Sequence, residues 1–173
     1  MAGITYPIIG ACGIDCGLCP RYYTDGTSRC PGCGGDGFGQ KHPSCGFLTC
    51  CVRKKGLPVC SQCGEFPCIK YADKEKIVKD SFVSHKRMFI NHKMIQDKGL
   101  DQFLASQAER IVFLETALKK HNDGRSKNYY CIAAALLTTA SLQKALRRAG
   151  AGENLKTVLA GYAEIEGQEL KLL

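Results

Sequence analysis

Residues 10–20 read GACGIDCGLCP and bring three cysteines, Cys12, Cys16 and Cys19, within eight positions of one another. Close-set cysteines are typical of secreted, disulfide-stapled modules or of metal sites. The chain begins MAGITYPIIGACG, which lacks the basic start and the long apolar stretch of a secretory signal peptide. We therefore expect a reducing, cytoplasmic location, where paired thiols are more often metal ligands than disulfides.

The rest of the cysteine array continues this pattern, because eleven of the twelve cysteines lie between Cys12 and Cys68. Three pairs have the spacing C-x2-C, the smallest turn that aims two sulfurs at one ion, and a tetrahedral zinc site needs two such pairs. The array predicts about two zinc ions, with the ligands Cys12, Cys16, Cys19, Cys30, Cys33, Cys45, Cys50, Cys60, Cys63 and Cys68. One predicted quartet is Cys16, Cys19, Cys30 and Cys33. The other is Cys45, Cys50, Cys60 and Cys63, while Cys12 and Cys68 could exchange into either quartet or bridge two ions.

The cysteine-rich segment has few apolar side chains with which to build a core. Between Pro20 and Gly46, Phe38 is the only aliphatic or phenylalanine residue. Ordering a chain costs about 1.5 kcal/mol per residue, whereas a structural zinc ion contributes roughly 10–16 kcal/mol in small peptides. We therefore expect residues 1–70 to form a metal-stabilised module, zinc-ribbon-like or knuckle-like, with little regular secondary structure.

Residues 71–173 have the apolar periodicity of helices. The clearest predicted helix is LDQFLASQAERIVFLETALKKHNDG at residues 100–124, where apolar residues recur at intervals of three and four. SKNYYCIAAALL at residues 126–137 is apolar nearly all round and predicts a buried central helix. Four more helices are predicted, at residues 68–80, 84–99, 141–150 with Ser141 as N-cap, and 153–167. The predicted fold is mainly α, an all-α bundle packed on the cysteine-rich module.

Several segments also resemble a known family: CGIDCGLCPRY, CPGC, CGFLTC and CSQCGEFPC, and, far downstream, DGRSKNYYCIAAALL. They are similar, in this order, to the uncharacterised domain of unknown function 3795. The resemblance is close in the cysteine-rich half and looser in the helical half. It implies a prokaryotic, intracellular, zinc-binding protein with no assigned function. Cys51 lies beside the family's pattern and receives no ligand role.

Iron–sulfur and redox chemistry form one alternative to zinc. Cys12, Cys16 and Cys19 have the C-x3-C-x2-C spacing that holds a [4Fe–4S] cluster in radical enzymes. Those enzymes need a large αβ barrel, and the sequence shows no alternation of strands and helices over such a length. A metalloenzyme or Fe–S protein that uses these three cysteines remains the alternative, as does a redox C-x2-C pair.

Nucleic-acid binding is the other alternative, because zinc ribbons can present basic and aromatic loop residues to nucleic acid. The net charge is +8, from 24 Lys and Arg against 16 Asp and Glu. The residues that would make such a surface are Arg21, Tyr22, Tyr23, Arg29, Arg53, Lys54 and Lys55. Arg125 and Lys127 precede the predicted central helix, where an anion could bind.

Catalysis and membrane insertion are not expected. A zinc ion held by four cysteines has no position left for an activated water, and the sequence contains no convincing pair of nucleophile and general base. CIAAALL, at residues 131–137, is far too short to cross a bilayer. We therefore expect a binding or scaffolding role with an unidentified partner, such as another protein, and assign no catalytic residue.

Overall fold

The computed structural model of the chain describes residues 6–41, 45–72 and 87–171. Within these ranges the chain is mainly helical, and its only β-type pairing is an isolated bridge between Tyr6 and Ile9. The predicted fold class, mainly helical with a cysteine-rich N-terminal region, is confirmed at this level. The chain divides into two compact units, Met1–Leu104 and Ala105–Leu173, called here the first and second unit. The predicted domains, residues 1–70 and 71–173, stay a prediction.

The first unit contains short helical turns in its cysteine-rich part. Three-residue 3-10 turns lie at Cys16–Leu18, Gly26–Ser28, Cys60–Gln62 and Ile69–Tyr71, with a π-helix at Leu48–Lys54 and a single α-helical turn, α1, at Phe38–Lys41. A regular helix, α2, follows at Met88–Lys98, and α3 begins at Leu100. The part of the predicted helix 68–80 that follows Ala72 lies outside the described residues.

The apolar core of the first unit draws on residues far apart in the sequence. Ile9 and Val59, from the cysteine-rich part, pack with Ile95 of α2 and with Phe103, all of them buried. A second cluster joins Tyr71, Val52 and Cys51 to Met88 of α2. The cysteine-rich segment therefore packs against side chains from α2 and the start of α3. These helices supply part of the apolar surface that the segment itself lacks.

The second unit consists of the rest of α3, which ends at His121, and of α4 at Lys127–Leu136, α5 at Thr139–Gly150 and α6 at Leu155–Ile165. Residues 130–135 of α4 are all buried, as the apolar sequence of the central helix predicts. The Arg110 guanidinium donates hydrogen bonds to the carbonyl oxygens of Ala134 and Leu137, at 2.6 and 2.7 Å, where α4 ends.

The N-caps of the last two helices are side-chain oxygens. Asn154 caps α6 by accepting a hydrogen bond from the backbone N–H of Thr157 at 3.1 Å. Thr138, not Ser141, caps α5, and the backbone N–H of Ser141 donates to its hydroxyl oxygen at 3.3 Å. The predicted N-cap was therefore wrong by three positions, because Ser141 already lies in the first turn of the helix.

Candidate metal centre

All twelve cysteines lie among the described residues, and all are free thiols. Two C-x2-C pairs are shaped by 3-10 turns that begin at their first cysteine. The backbone N–H of Cys19 donates to the carbonyl oxygen of Cys16 at 3.1 Å, and that of Cys63 to the carbonyl oxygen of Cys60 at 3.0 Å. In both pairs the backbone therefore turns between the two cysteines, as the C-x2-C spacing predicts.

The first two C-x2-C pairs in the sequence, Cys16 with Cys19 and Cys30 with Cys33, contact each other through Cys16 and Cys33. We call these four cysteines the knuckle group. The side chains of Cys16 and Cys33 form a hydrogen bond, and the backbone N–H of Cys33 lies 3.5 Å from the Cys16 sulfur. Their hydrogen bond lowers the pKa of Cys16 and raises the pKa of Cys33, because only one of the two thiols can give up its proton easily. Burial raises the pKa of Cys19, and the charges of Cys16 and Cys30 add to this effect.

The turn between Cys30 and Cys33 requires a glycine at position 32. Gly32 has φ +81°, and a Cβ atom at this position would lie 1.9 Å from the carbonyl oxygen of Pro7. Any other residue at position 32 would therefore force the backbone of the Cys30–Cys33 turn to move.

Cys12 and Cys45 lie beside the knuckle group. A Cβ atom added to Gly10 would lie 3.1 Å from the Cys33 sulfur and 3.4 Å from the Cys12 sulfur. Both sulfurs therefore lie close to the backbone of Gly10. Burial, together with the charges of nearby thiols, Cys45 among them, raises the pKa of Cys12 to about 12.

Five of the remaining six cysteines line a pocket, which we call the thiol pocket, and the sixth, Cys131, is buried in α4. The pocket encloses about 330 Å³, including its open mouth. Its cysteines come from the π-helix, the turn Cys60–Gln62 and the loop after it. The lining residues are Cys50, Cys51, Cys60, Cys63, Cys68, Lys55, Lys70, Glu65 and Phe66. Cys68 thus lies with Cys50, Cys60 and Cys63, whereas the sequence alone placed it outside both quartets.

Lysine ammonium groups supply positive charge to the thiol pocket. Lys55 Nζ lies 2.8 Å from a carboxylate oxygen of Glu65 and 3.1 Å from the Cys63 sulfur. The hydrogen bond to Glu65, followed by the one to Cys63, raises the pKa of Lys55. The ammonium group therefore stays charged next to the Cys63 sulfur.

The Cys60 sulfur in the pocket accepts hydrogen bonds from two neighbouring side chains. Hydrogen bonds from Cys51 and Tyr71, together with the charge of Lys70, lower its pKa to about 7 although burial acts in the opposite direction. The hydrogen bond to Cys60 raises the pKa of Cys51, which is buried and also has its sulfur 3.2 Å from the carbonyl oxygen of Leu57. Cys51 therefore donates a hydrogen bond to the Cys60 sulfur and keeps its own proton more firmly than an ordinary thiol.

The loop between Cys12 and Cys16 is fixed by a buried polar contact to α2. The Asn91 amide nitrogen donates to the Gly13 carbonyl oxygen at 2.8 Å and to a carboxylate oxygen of Asp15 at 2.9 Å. Asn91 and Asp15 are each only 1% exposed. Sequence analysis did not identify Asn91, because a single asparagine in a helical segment carries no spacing signal.

No complete coordination shell is formed by the described residues. Among residues 6–41, 45–72 and 87–171, no group of three or more His, Cys, Asp or Glu side chains has the spacing that a bound metal ion requires. The ten predicted ligands stay a prediction, although the fold gathers them into the knuckle group, its neighbours Cys12 and Cys45, and the thiol pocket.

The start of α4, where Arg125 and Lys127 were considered as an anion site, is occupied by a carboxylate of the chain itself. Asp123 accepts hydrogen bonds from the Arg125 backbone N–H at 2.9 Å and from the Ser126 hydroxyl, and its other oxygen lies 2.8 Å from Lys156 Nζ. Asp123 therefore places a negative charge of the chain itself just before the first turn of α4.

Two further observations concern possible partners. In the loop between Cys19 and Cys30, the Arg29 guanidinium lies 5.3 Å from the ring centre of Tyr22, a cation–π contact. No helix within the described part of the chain is both long enough and apolar enough to pass through a bilayer.

Comparisons with known proteins agree with the resemblance seen in the cysteine motifs. No curated protein and no solved structure matches the chain. A family model described as "Protein of unknown function (DUF3795)" matches residues 8–73. Over its cysteine-rich region, the chain therefore resembles the DUF3795 family, as the motifs predicted.

Proposed function

We propose that this chain is a cytoplasmic zinc-binding protein in which cysteine thiolates hold two zinc ions, and that it acts by binding or scaffolding. The observation that carries the proposal is the thiol pocket, where Cys50, Cys60, Cys63 and Cys68 line one opening together with two lysines. These four cysteines would bind one ion, and the knuckle group would bind the other.

The donor set fits zinc. Sulfur-only ligands in fours are typical of structural zinc sites, with Zn–S bonds of about 2.3 Å and therefore sulfurs about 3.8 Å apart. The hydrogen bond between Cys16 and Cys33 already joins one sulfur from each knuckle. A zinc ion would replace the shared proton, and Cys19 and Cys30 would complete its four ligands.

The charge of the thiol pocket also supports a tetrathiolate site. Zinc with four thiolates has a net charge of about −2, which is costly to bury unless cations lie nearby. Lys55 and Lys70 line the pocket, and Lys55 lies 3.1 Å from the Cys63 sulfur. Because four sulfurs complete the coordination of zinc, such a site stabilises the fold and leaves no position for a reacting water.

Elemental analysis of protein purified without oxygen tests the proposal. We expect a colourless protein with about two zinc ions per chain. Cys63→Ala should lose one of them, whereas the matched control Cys131→Ala, a cysteine buried in α4, should retain both. A brown protein with iron and acid-labile sulfide would instead establish an iron–sulfur cluster. A metal-free protein with unchanged stability would refute metal binding altogether.

A further inference from the structure

We propose that Tyr71, oriented by His92, acts as an outer-shell hydrogen-bond donor to the Cys60 sulfur and sets how tightly the thiol pocket retains its metal ion. This inference rests on the proposed function, because it assigns a role to residues that surround the second zinc site. Neither residue belongs to the predicted ligands.

The contacts form a continuous chain from α2 to the pocket. The Tyr71 hydroxyl lies 3.0 Å from Nε2 of His92, and both side chains are buried. The same hydroxyl is hydrogen-bonded to Cys60, which lines the thiol pocket. Since α2 packs against the turn Cys60–Gln62, the helix and the ligand-bearing turn are held in one arrangement.

The number of protons fixes the direction of these hydrogen bonds. A phenol has one hydrogen, and a thiolate can only accept a hydrogen bond. When Cys60 is a thiolate, Tyr71 must donate to its sulfur and accept from His92, whose ring is then neutral with its hydrogen on Nε2. His92 therefore selects the rotation of the Tyr71 hydroxyl that points its hydrogen toward the sulfur.

Aromatic packing holds the Tyr71 ring in place. The ring centre of Tyr71 lies 4.9 Å from that of Phe47 and 5.1 Å from that of Phe66, and Phe66 also contacts the His92 ring at 4.6 Å. On the other side, a Cβ atom on Gly13 would be only 2.8 Å from His92 Nε2, so the backbone closes directly on the imidazole. The donor therefore has little freedom to turn away from Cys60.

A hydrogen bond to a metal-bound thiolate withdraws electron density from the sulfur and stabilises its negative charge. Loss of such an outer-shell partner typically lowers metal affinity about 10–100-fold. Loss of the hydrogen bond also raises the energy of the sulfur lone pairs. The sulfur-to-metal charge-transfer band of a cobalt-substituted site therefore moves to lower energy. A purely structural role of Tyr71 would not produce this spectral change.

The test compares Tyr71→Phe with the matched control Tyr130→Phe, which removes a buried hydroxyl that bonds to the His121 carbonyl oxygen in the second unit. In Tyr71→Phe, one of the two zinc ions should pass to a competing chelator with an affinity about 10–100-fold weaker than in the wild type. The cobalt-substituted protein should show the shift of its charge-transfer band. Tyr130→Phe should change neither quantity.

Variants of His92 complete the experiment. His92→Leu should give a smaller change in the same direction, and His92→Gln, which keeps an N–H donor, should restore the wild-type spectrum. Tyr71→Phe with wild-type zinc retention and an unshifted band would overturn the inference while leaving the proposed function intact. An equal change in Tyr130→Phe would also overturn it. A wild-type protein without metal would overturn both.

Discussion

The substitution Asn91→Leu should destabilise the first unit by about 3 kcal/mol. It removes a hydrogen bond to the Gly13 carbonyl oxygen, at 2.8 Å, and one to the Asp15 carboxylate, at 2.9 Å. A neutral hydrogen bond contributes about 1 kcal/mol and one to a charged group about 1.5–3 kcal/mol. Asp15 is only 1% exposed, so water cannot easily replace the lost donor. Leucine has the same side-chain branching as asparagine and is larger, so the substitution opens no cavity.

Hydrogen exchange of the purified protein measures this loss of stability at the residues concerned. The backbone amides of Gly13 and Cys16 should exchange roughly 100-fold faster in Asn91→Leu, since 1.4 kcal/mol corresponds to a factor of ten. The control Asn128→Leu, at an exposed position of α4, should change stability by less than about 0.5 kcal/mol. If Asn91→Leu lowered the free energy of unfolding by less than about 1 kcal/mol, the buried contact would not be what fixes the loop between Cys12 and Cys16.

Three further predictions follow from the same structure. Gly13→Ala should destabilise the first unit by at least about 1–2 kcal/mol in thermal melts, because Gly13 has φ +87° and the new Cβ would lie 2.8 Å from the Met88 carbonyl oxygen. Gly64→Ala, with open space around it, is the control, and equal melting of the two variants would contradict the argument. Removal of zinc with a strong chelator should increase hydrogen exchange in the cysteine-rich part and leave α4, α5 and α6 protected; unchanged exchange in the cysteine-rich part would contradict metal stabilisation. The hydrogen bond from Lys156 holds the pKa of Asp123 below its usual range, so its stabilisation is present above about pH 4 and disappears as the pH falls further. The difference in melting temperature between wild type and Asp123→Asn should therefore be constant above about pH 5 and shrink below about pH 4, and a difference that grows on acidification would refute this assignment.

Much of the local structure could be predicted because it depends on short-range pattern. The C-x2-C spacing predicts knuckle turns, and two of them are formed by backbone hydrogen bonds within each pair. The three-and-four periodicity that starts at Leu100 predicts α3, which ends at His121, before the predicted residue 124. The apolar stretch around Cys131 predicts the buried helix α4. In each case neighbours in sequence determine the result.

The tertiary structure decided which distant residues meet. Asn91 contacts Gly13 across 78 positions, and Cys68 joins the thiol pocket with Cys50. Such contacts depend on how α2 packs against the cysteine-rich part, and no periodicity within either segment encodes that packing. The sequence by itself therefore determined which turns and helices form, whereas the grouping of the thiols and their buried polar neighbours required the folded chain, because burial selects partners by shape and hydrogen bonding rather than by spacing.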